Sequence, residues 1–537
     1  MTSVALAENH APQSAAVSAR RREGAVRLAG VAALLALWEA AALGLDGAYL
    51  LAGPSDVLRY LAEDTALMGR ALWATGANAV AGYVIGNAVA IALAASALLV
   101  PRAERLILAL ALLVFCLPLV ATGPILRVVF GPGPGPEITL AALAVYYTTL
   151  VPLVVGLRAA PATWFDLVAS YGRGRIAALT YVRARAALPY LLAGLQIAAP
   201  AAFLGAMVGE FTGAARGMGV LTIQAMRSLD IDATWALATV AACVSIIAYA
   251  AIGRLGRAFG DDAPPVLLAP PPARARPQGL WHRIAHPVLV TSAALALWWV
   301  LPKLLGLAPF FAKGPGDVFA FLVTDANAAA HRATLLTALG ETALYAVPGY
   351  VAGLALGAAL AVALTLAPAL AAIAMPVAVA LRSVPIITTA PLIVLLLGRG
   401  AAGTVTLVAV MVFFPTFVAC LHGLRQAPGQ VLDVFESYAA GRWSRLTLVQ
   451  IPAMLPSLFA AARMAVPAAV LAVTVVEWLA TGSGLGAEMA LSASLSNYGM
   501  LWSCVVLVAV LSALGYAAVG AAERRVLALY APEQLAR

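Results

Sequence analysis

One stretch occurs twice in this 537-residue chain, as RAAPATWFDLVASYGRGRIAALTYVRARAALP at residues 158–189 and as RQAPGQVLDVFESYAAGRWSRLTLVQIPAMLP at residues 425–456. At the constant offset between these two positions, the copies share Pro161 and Pro428, Asp166 and Asp433, Ser170-Tyr171 and Ser437-Tyr438, Gly174 and Gly441, and Pro189 and Pro456. Apolar sequences match by chance at Ala, Leu and Val, but rarely at Pro, Asp and Tyr with one offset. The stretch therefore indicates an internal duplication.

The duplication extends far beyond this stretch. The same offset, without an insertion from residue 82 to residue 235, pairs Gly82 and Gly349, Gly86 and Gly353, Pro118 and Pro385, Pro124 and Pro391, Glu210 and Glu477, Gly217 and Gly484, and Trp235 and Trp502. Two copies of one folding unit are therefore predicted, in the same orientation if each has an even number of membrane spans.

The composition places the chain in a membrane. Hydrophobic residues make up 63% of it and charged residues 11%, with a mean hydropathy of +0.95, whereas soluble domains are about 45–50% apolar. This excludes a soluble enzyme and a disordered chain. The net charge of +9 comes from arginines in a few connecting segments, so it indicates topology and not nucleic-acid binding.

Hydrophobic segments of spanning length, about 20 residues each, occur twelve times. They begin near Leu28, Ala71, Leu106, Glu137, Pro189 and Trp235, and then near His286, Ala338, Ala369, Val405, Pro456 and Leu501. The first is too long for the hydrophobic part of a signal peptide. The sequence predicts an all-α polytopic membrane protein with about 12 transmembrane helices in two parallel six-helix repeats.

The predicted domains follow from this pattern. Residues 1–25 form a cytoplasmic tail, 26–260 the first repeat, 261–280 a Pro-rich cytoplasmic linker and 281–537 the second repeat. Arginines are enriched in the connections that lie on the same side as the N-terminus, so both termini are predicted to be cytoplasmic.

The repeated stretch connects the fourth and fifth spans of each half. It is about 30 residues long, whereas a connection between packed helices needs only about two to eight residues. In the second copy, Asp433, Val434, Phe435 and Tyr438 with Leu446 predict a short amphipathic helix. The pattern alone is compatible with a helix that lies on lipid and with one that docks on a partner protein.

At these residues the chain resembles the permease subunits of ABC importers, in the binding-protein-dependent type I family and its nitrate, sulfonate and taurine branch. That family's loop follows a Glu-Ala-Ala, Gly, Leu-Pro pattern. Asp433 stands at the Glu position and Ala439 at the Gly position, and Pro452 and Pro456 are the closing prolines. In the first copy Asp166, Gly172 and Pro189 fit, and Arg185 replaces a closing proline.

The resemblance implies a fused tandem permease in a bacterial inner membrane. Its loops would couple to two ATP-binding cassette ATPase subunits through Asp166, Ser170, Tyr171, Gly172, Gly174, Pro189, Asp433, Ser437, Tyr438, Ala439, Gly441, Pro452 and Pro456. A periplasmic or lipoprotein solute-binding protein would deliver a small molecule. ATP and Mg²⁺ would bind the partner, since the only two lysines, Lys303 and Lys313, do not form a P-loop motif. No cofactor, metal or catalytic site is predicted here.

A second group of candidates lies within the spans. Arg382 would be an intramembrane charge without an equivalent in the other half, where Phe115 stands. Such a charge is a candidate functional site, so Arg382 would either contact an anion or pair structurally with a backbone carbonyl or a carboxylate such as Glu477. Glu210 and Glu477 close the fifth spans, as a gate, a surface contact or a substrate site. Arg463 is predicted to extend toward the membrane surface. Pro118, Pro124, Pro385 and Pro391 are predicted to kink the third spans, where they would either serve helix packing or line the translocation path.

Two further functions are compatible with a duplicated bundle. One is an ion-coupled secondary transporter, and the other is a membrane scaffold without transport. The loop and its resemblance favour the importer. Within that class, Arg382 favours a small anion such as a sulfonate, taurine or nitrate, and a neutral pyrimidine-like solute is the alternative.

Overall fold

The structure is a computed structural model that describes residues 30–45, 51–131, 133–258, 280–367, 393, 396–398 and 400–530. These residues form helices and connecting turns, with no strand among them. The predicted tail at 1–25 lies outside the described residues, as does nearly all of the linker at 261–280. So do Arg382, Pro385 and Pro391.

The first half contains eleven helices in the described part. They are α1 Gly30–Gly44, α2 Pro54–Glu63, α3 Thr65–Leu99, α4 Glu104–Phe115, α5 Leu119–Phe130, α6 Gly135–Arg158, α7 Ala162–Ser170, α8 Arg175–Ala177, α9 Ala184–Phe211, α10 Met218–Ser228 and α11 Ile231–Ala258. A π-helical turn, Ala178–Arg183, joins α8 to α9.

The second half repeats this order. Its described helices are α12 Leu280–Leu304, α13 Pro315–Phe319, α14 Ala328–Leu366, α15 Ala401–Arg425, α16 Gly429–Ser437, α17 Arg442–Arg445, α18 Ile451–Val476, α19 Gly484–Ser494 and α20 Tyr498–Tyr530. Further π-helical turns are Ala320–Thr324, Leu446–Gln450 and Glu477–Thr481. The constant offset of the sequence repeat relates α7 to α16 position by position, which confirms the duplication at the level of structure.

Nine of the described helices are long and apolar enough to cross a membrane. The shorter apolar helix α1 corresponds to the predicted first span, and α4 with α5 corresponds to the third. The predicted third span of the second half, beginning near Ala369, lies mostly outside the described residues. The described part therefore accounts for eleven of the twelve predicted spans.

Glycines set the closest helix contacts in each half. A Cβ atom on Gly86 would lie 2.6 Å from the carbonyl oxygen of Ala142 on α6, and one on Gly353 would lie 2.6 Å from that of Ala409 on α15. Any side chain at these positions would separate the backbones. Glycines spaced four residues apart on α3 and α14 therefore allow these helices to pack closely against α6 and α15.

The two halves share a hydrophobic core. Val120, Leu140 and Val208 of the first half lie in one buried cluster with Val412 and Val473 of the second. Helix α5 also contacts α18, α19 and α20, and α12 contacts α4. The halves therefore form one packed bundle.

Candidate functional site

The loop helices α7 and α16 begin and end in the same way. Pro161 and Pro428, each with φ of −59°, precede them. At the other end of α16 the Ala439 amide donates to Glu436 O at 2.9 Å and the Ala440 amide to Phe435 O at 2.9 Å. The Gly172 and Arg173 amides make the corresponding bonds to Ala169 and Val168 at 2.9 and 3.2 Å. This is the Schellman pattern of helix termination.

The left-handed residue of this pattern is Gly172 in the first loop and Ala439 in the second. Their φ angles are +65° and +51°. The family pattern has Gly at this position because Gly adopts positive φ without steric cost. Ala439 takes the same conformation despite its Cβ, which costs an L-residue roughly 1–2 kcal/mol. The loop geometry is therefore preserved where the sequence departs from the pattern.

Each loop presents a matched set of exposed apolar side chains. The repeat-related pairs are Trp164 and Val431, Leu167 and Val434, Tyr171 and Tyr438, Ile176 and Trp443, and Tyr181 and Leu448. The exposed fractions of Tyr171 and Tyr438 reach 76% and 83%. Phe165 and Phe435 face inward and are half-buried, with the Arg183 guanidinium 5.2 Å from the Phe165 ring centroid. Both loop helices thus have one partly covered face and one apolar face that is exposed.

The remaining loop candidates fall into three environments. Asp166 and Asp433 are exposed on the loop helices, as are the Gly174 and Gly441 backbones that follow them. The Ser170 and Ser437 hydroxyls donate to Leu167 O at 2.7 Å and Val434 O at 2.8 Å, so they stabilise the helix ends. Pro452 lies in the first turn of α18, whereas Pro456 and Pro189 lie within α18 and α9.

Glu210 forms a buried cap at the opposite end of the bundle. Its carboxylate accepts from the Thr75 hydroxyl at 2.6 Å and from the Gly219 amide at 2.6 Å, and Thr75 Oγ1 accepts from the Met218 amide at 2.8 Å. These amides begin α10, where unpaired N–H groups and the helix dipole favour an anion. Since Glu210 is only 1% exposed, its interpretation as a surface contact is wrong.

Glu477 caps α19 in the same way. It accepts from Thr342 Oγ1 at 3.0 Å and from the Gly486 amide at 2.8 Å, and it is also 1% exposed, so the surface-contact interpretation is wrong here too. The second half adds a carboxylate, because Glu341 accepts from the Gly484 amide at 2.7 Å. Glu341 and Glu477 line a cavity of about 770 Å³ with Glu488. A role of Glu210 and Glu477 in gating stays a prediction.

Sequence reasoning missed the threonines that complete these caps. Thr75 and Thr342 obey the constant offset of the duplication, so the repeat itself contained the signal. Their partners lie 135 residues away along the chain, which no local motif reveals.

A break in the third span lies between the halves. Helix α4 ends at Phe115, and Pro118, with ψ of 112°, is the N-cap residue that precedes α5. The predicted kink at Pro118 is confirmed, whereas α5 continues through Pro124. A cavity of about 150 Å³ at this break is lined by repeat-related Leu204 and Leu471. Because both halves contribute equivalent residues, the cavity lies on the pseudo-two-fold axis.

The lining of this axial cavity is apolar in the described residues. It includes Leu143 and Met411, and also Phe115, whose ring stacks on Tyr147 at a centroid distance of 4.5 Å. Phe115 is the repeat equivalent of Arg382. The part of the axial cavity that the structure describes is therefore small and apolar.

Arg463 does not extend to the membrane surface, which corrects the prediction. Its Nη1 lies 3.1 Å from Glu523 Oε2, and the side chains are 16% and 10% exposed. The guanidinium also lies 5.7 Å from the Tyr516 ring centroid. An unpaired charge at this depth would be costly, and pairing within the bundle removes the need to reach water.

Two matched helical halves with a loop helix at one end and a shared axial cavity are the architecture of a membrane transport permease with an internal duplication. The family described as "Binding-protein-dependent transport system inner membrane component" matches at residues 86–261 and again at 349–528. Because the matches cover more than half of the chain, it belongs to this family. It is an ABC transporter permease with two permease domains in one chain.

Similar proteins are single permeases of about half the length. A "Probable ABC transporter permease protein" of Haemophilus influenzae is 29% identical over 233 residues, which are 43% of this chain and 94% of the relative. The "Formylaminopyrimidine transport permease protein ThiX" of Halalkalibacterium halodurans is 27% identical over 223 residues, 41% of this chain and 89% of the relative. The "Putative aliphatic sulfonates transport permease protein SsuC" of Bacillus subtilis is 25% identical over 147 residues, which are 27% of this chain and 53% of the relative.

Proposed function

We propose that this chain forms the complete transmembrane pathway of an ATP-driven importer of a small solute. The observation that carries the proposal is the pair of matched, uncovered apolar faces on α7 and α16. Each face would dock one ATP-binding cassette ATPase, so that two ATPases bind one chain. ATP and Mg²⁺ would bind those subunits.

Docking on protein explains the loop helices better than adsorption to lipid. A helix that lies on a membrane usually presents Lys and Arg on its polar face. Helix α7 contains Asp166 as its only charge, and α16 contains Asp433 and Glu436, with no Lys or Arg in either. The arginines of each loop follow after the helix end. An apolar face bordered by carboxylates is suited to an apolar protein groove with basic residues at its rim.

This assignment sets the orientation of the protein. The loop helices and both termini would face the cytoplasm of a bacterium, and the caps at Glu210 and Glu477 would lie at the outer face of its inner membrane. A periplasmic or lipoprotein solute-binding protein would deliver substrate to that face. The enrichment of arginines at the loop end supports this orientation.

The proposed substrate is a small anion such as a sulfonate, taurine or nitrate. Arg382 would contact it from one half only, since the repeat equivalent is Phe115, which lines the axial cavity. The sulfonate permease among the relatives supports this choice. A neutral pyrimidine-like solute is the second candidate, favoured by the apolar lining of the cavity and by the formylaminopyrimidine permease relative.

The docking proposal is tested by affinity capture of the full chain from native membranes, with bound proteins identified by mass spectrometry. We expect two copies of a P-loop ATPase per chain. Leu167→Glu with Val434→Glu should abolish this capture, because both side chains are exposed and form no part of the partly covered face. Leu495→Glu is the matched control, an equally exposed leucine beyond α19 at the other end of the bundle.

Normal ATPase capture by the Leu167→Glu, Val434→Glu variant would overturn the docking assignment. Asp433→Arg provides a second test, with coupling of ATP hydrolysis to transport expected to be lost while the chain remains inserted. Arg382→Phe, which makes the two halves alike at this position, separates the substrate candidates. Uptake of an anion should fall per inserted molecule, whereas uptake of a neutral solute should not.

A further inference from the structure

A large cavity opens at the end of the first half opposite the loop helices. Its volume is about 1150 Å³, and its walls are the first turns of α3, the end of α5 with the following turn, and the segment between α9 and α10. Three arginines line it, Arg70, Arg127 and Arg216, together with Glu137. It is separate from the axial cavity and from the loops.

Two of these arginines have no carboxylate partner among the residues that line the described cavity. Arg127 pairs with Glu137 at 2.7 Å and also donates to Gly133 O at 3.0 Å, so this pair is close to neutral. Arg70 and Arg216 are exposed side chains on two different walls. The cavity therefore carries a net positive charge from residues that converge on it from separate segments.

The second half has the opposite character at the equivalent place. Thr337 and Ser483 stand where the first half has Arg70 and Arg216, and both line the corresponding cavity. The charged residues there are Glu341, Glu477 and Glu488. Among the residues that the structure describes, the basic character therefore belongs to the first copy alone, and neither the fold nor the shared caps require it.

The basic cavity is continuous with a membrane-facing groove. Gly69, Trp73 and Ala77 line both the cavity and an apolar groove of about 920 Å³ that runs along α3 past Val80 and Val84. Trp73 is 80% exposed at the junction, and tryptophan is enriched where a membrane meets water. The glycines and alanines at the base of the groove leave space between the larger side chains.

We propose that this cavity and groove bind one anionic phospholipid. The phosphate would lie between Arg70 and Arg216, the glycerol region beside Trp73, and one acyl chain in the groove. Positive charge followed by an apolar channel along a spanning helix matches the order of groups in a phospholipid. A soluble anion would leave the groove unused, and an acidic protein would not require its apolar walls.

The test uses the full chain in nanodiscs that contain equal amounts of phosphatidylglycerol and phosphatidylcholine, with retained lipids counted by native mass spectrometry. We expect preferential retention of one phosphatidylglycerol. Arg70→Thr with Arg216→Ser, which introduces the residues of the second half, should weaken retention roughly 30-fold, from the contribution of two basic side chains at a membrane surface. Arg227→Ser with Arg332→Thr is the charge-matched control and should not change retention.

A photoreactive residue in place of Val84 should form an adduct with the acyl chain of phosphatidylglycerol. Equal retention by the Arg70→Thr, Arg216→Ser variant and the unmodified chain would overturn the proposal. Displacement of the lipid by millimolar sulfate or inorganic phosphate would overturn it in favour of a soluble anion. Unchanged lipid retention with loss of an acidic protein partner would overturn it in favour of protein docking. None of these outcomes depends on ATPase binding.

Discussion

Ala439→Gly should stabilise the second loop, since it removes a Cβ atom from a residue held at φ of +51°. The left-handed conformation costs an L-residue roughly 1–2 kcal/mol. Glycine offsets about 0.5–1 kcal/mol of this gain, because its greater backbone freedom stabilises the unfolded chain. Since Ala439 is exposed, loss of its methyl group removes no packing. The net gain should therefore be about 0.5–1 kcal/mol.

Amide hydrogen exchange of the purified full chain measures this gain in stability at the C-terminal end of α16. The Ala440 amide donates to Phe435 O at 2.9 Å, so it exchanges only when the end of α16 opens. A gain of about 0.5–1 kcal/mol should slow its exchange roughly two- to fivefold if opening is local. Amides in the interior of α18 should not change.

Gly172→Ala is the matched reverse change in the first loop. A Cβ atom on Gly172 would meet nothing within 4 Å, so only its φ of +65° opposes the substitution. The Arg173 amide, which donates to Val168 O, should exchange faster by a similar factor. Unchanged exchange in both variants, or slower exchange in Gly172→Ala, would refute the assignment of backbone strain to this position.

Three further predictions concern the stability of the bundle, followed by thermal unfolding of the chain in detergent. Glu210→Gln should destabilise it by about 1–3 kcal/mol, because a buried helix start loses its charged acceptor; an unchanged midpoint would contradict the capping role. Arg463→Gln should lower the free energy of unfolding by about 3–5 kcal/mol, because it leaves the Glu523 carboxylate unpaired. The double variant Arg463→Gln, Glu523→Gln should lose less stability than the sum of the two single variants. Additive losses would show that the two side chains are not coupled. Gly353→Ala should lower the stability of the bundle, because its Cβ atom would collide with the α15 backbone. Gly340→Ala on the same helix has open space around it and should raise the stability by up to about 1 kcal/mol. Equal effects of the two substitutions would contradict the packing argument.

The loop was the part of the site that sequence reasoning predicted best. Its helix, its termination and its amphipathic character depend on neighbours that are close along the chain. The family pattern also located the left-handed position, and Ala439 shows that the surrounding hydrogen bonds hold this conformation without glycine. The structure adds that one apolar face of each loop helix is exposed, and whether this face contacts lipid or protein stays a prediction.

The intramembrane charges were predicted least well. Glu210 was assigned to the end of a span, but its acceptor role depends on Thr75 and on the amides that begin α10. Arg463 was expected to reach the membrane surface, whereas Glu523, which comes from the following spanning helix α20, neutralises it inside the bundle. No periodicity or spacing rule connects such partners.

The amino-acid sequence by itself determined that this protein lies in a membrane, that it contains a duplication and where its two loops lie. Hydrophobic length and aligned Pro, Gly and Trp residues depend only on local order along the chain. Tertiary structure decided which buried charges are paired, where the halves meet and which arginines line the same cavity. Those properties depend on distances between side chains from different helices, and helix packing alone sets such distances.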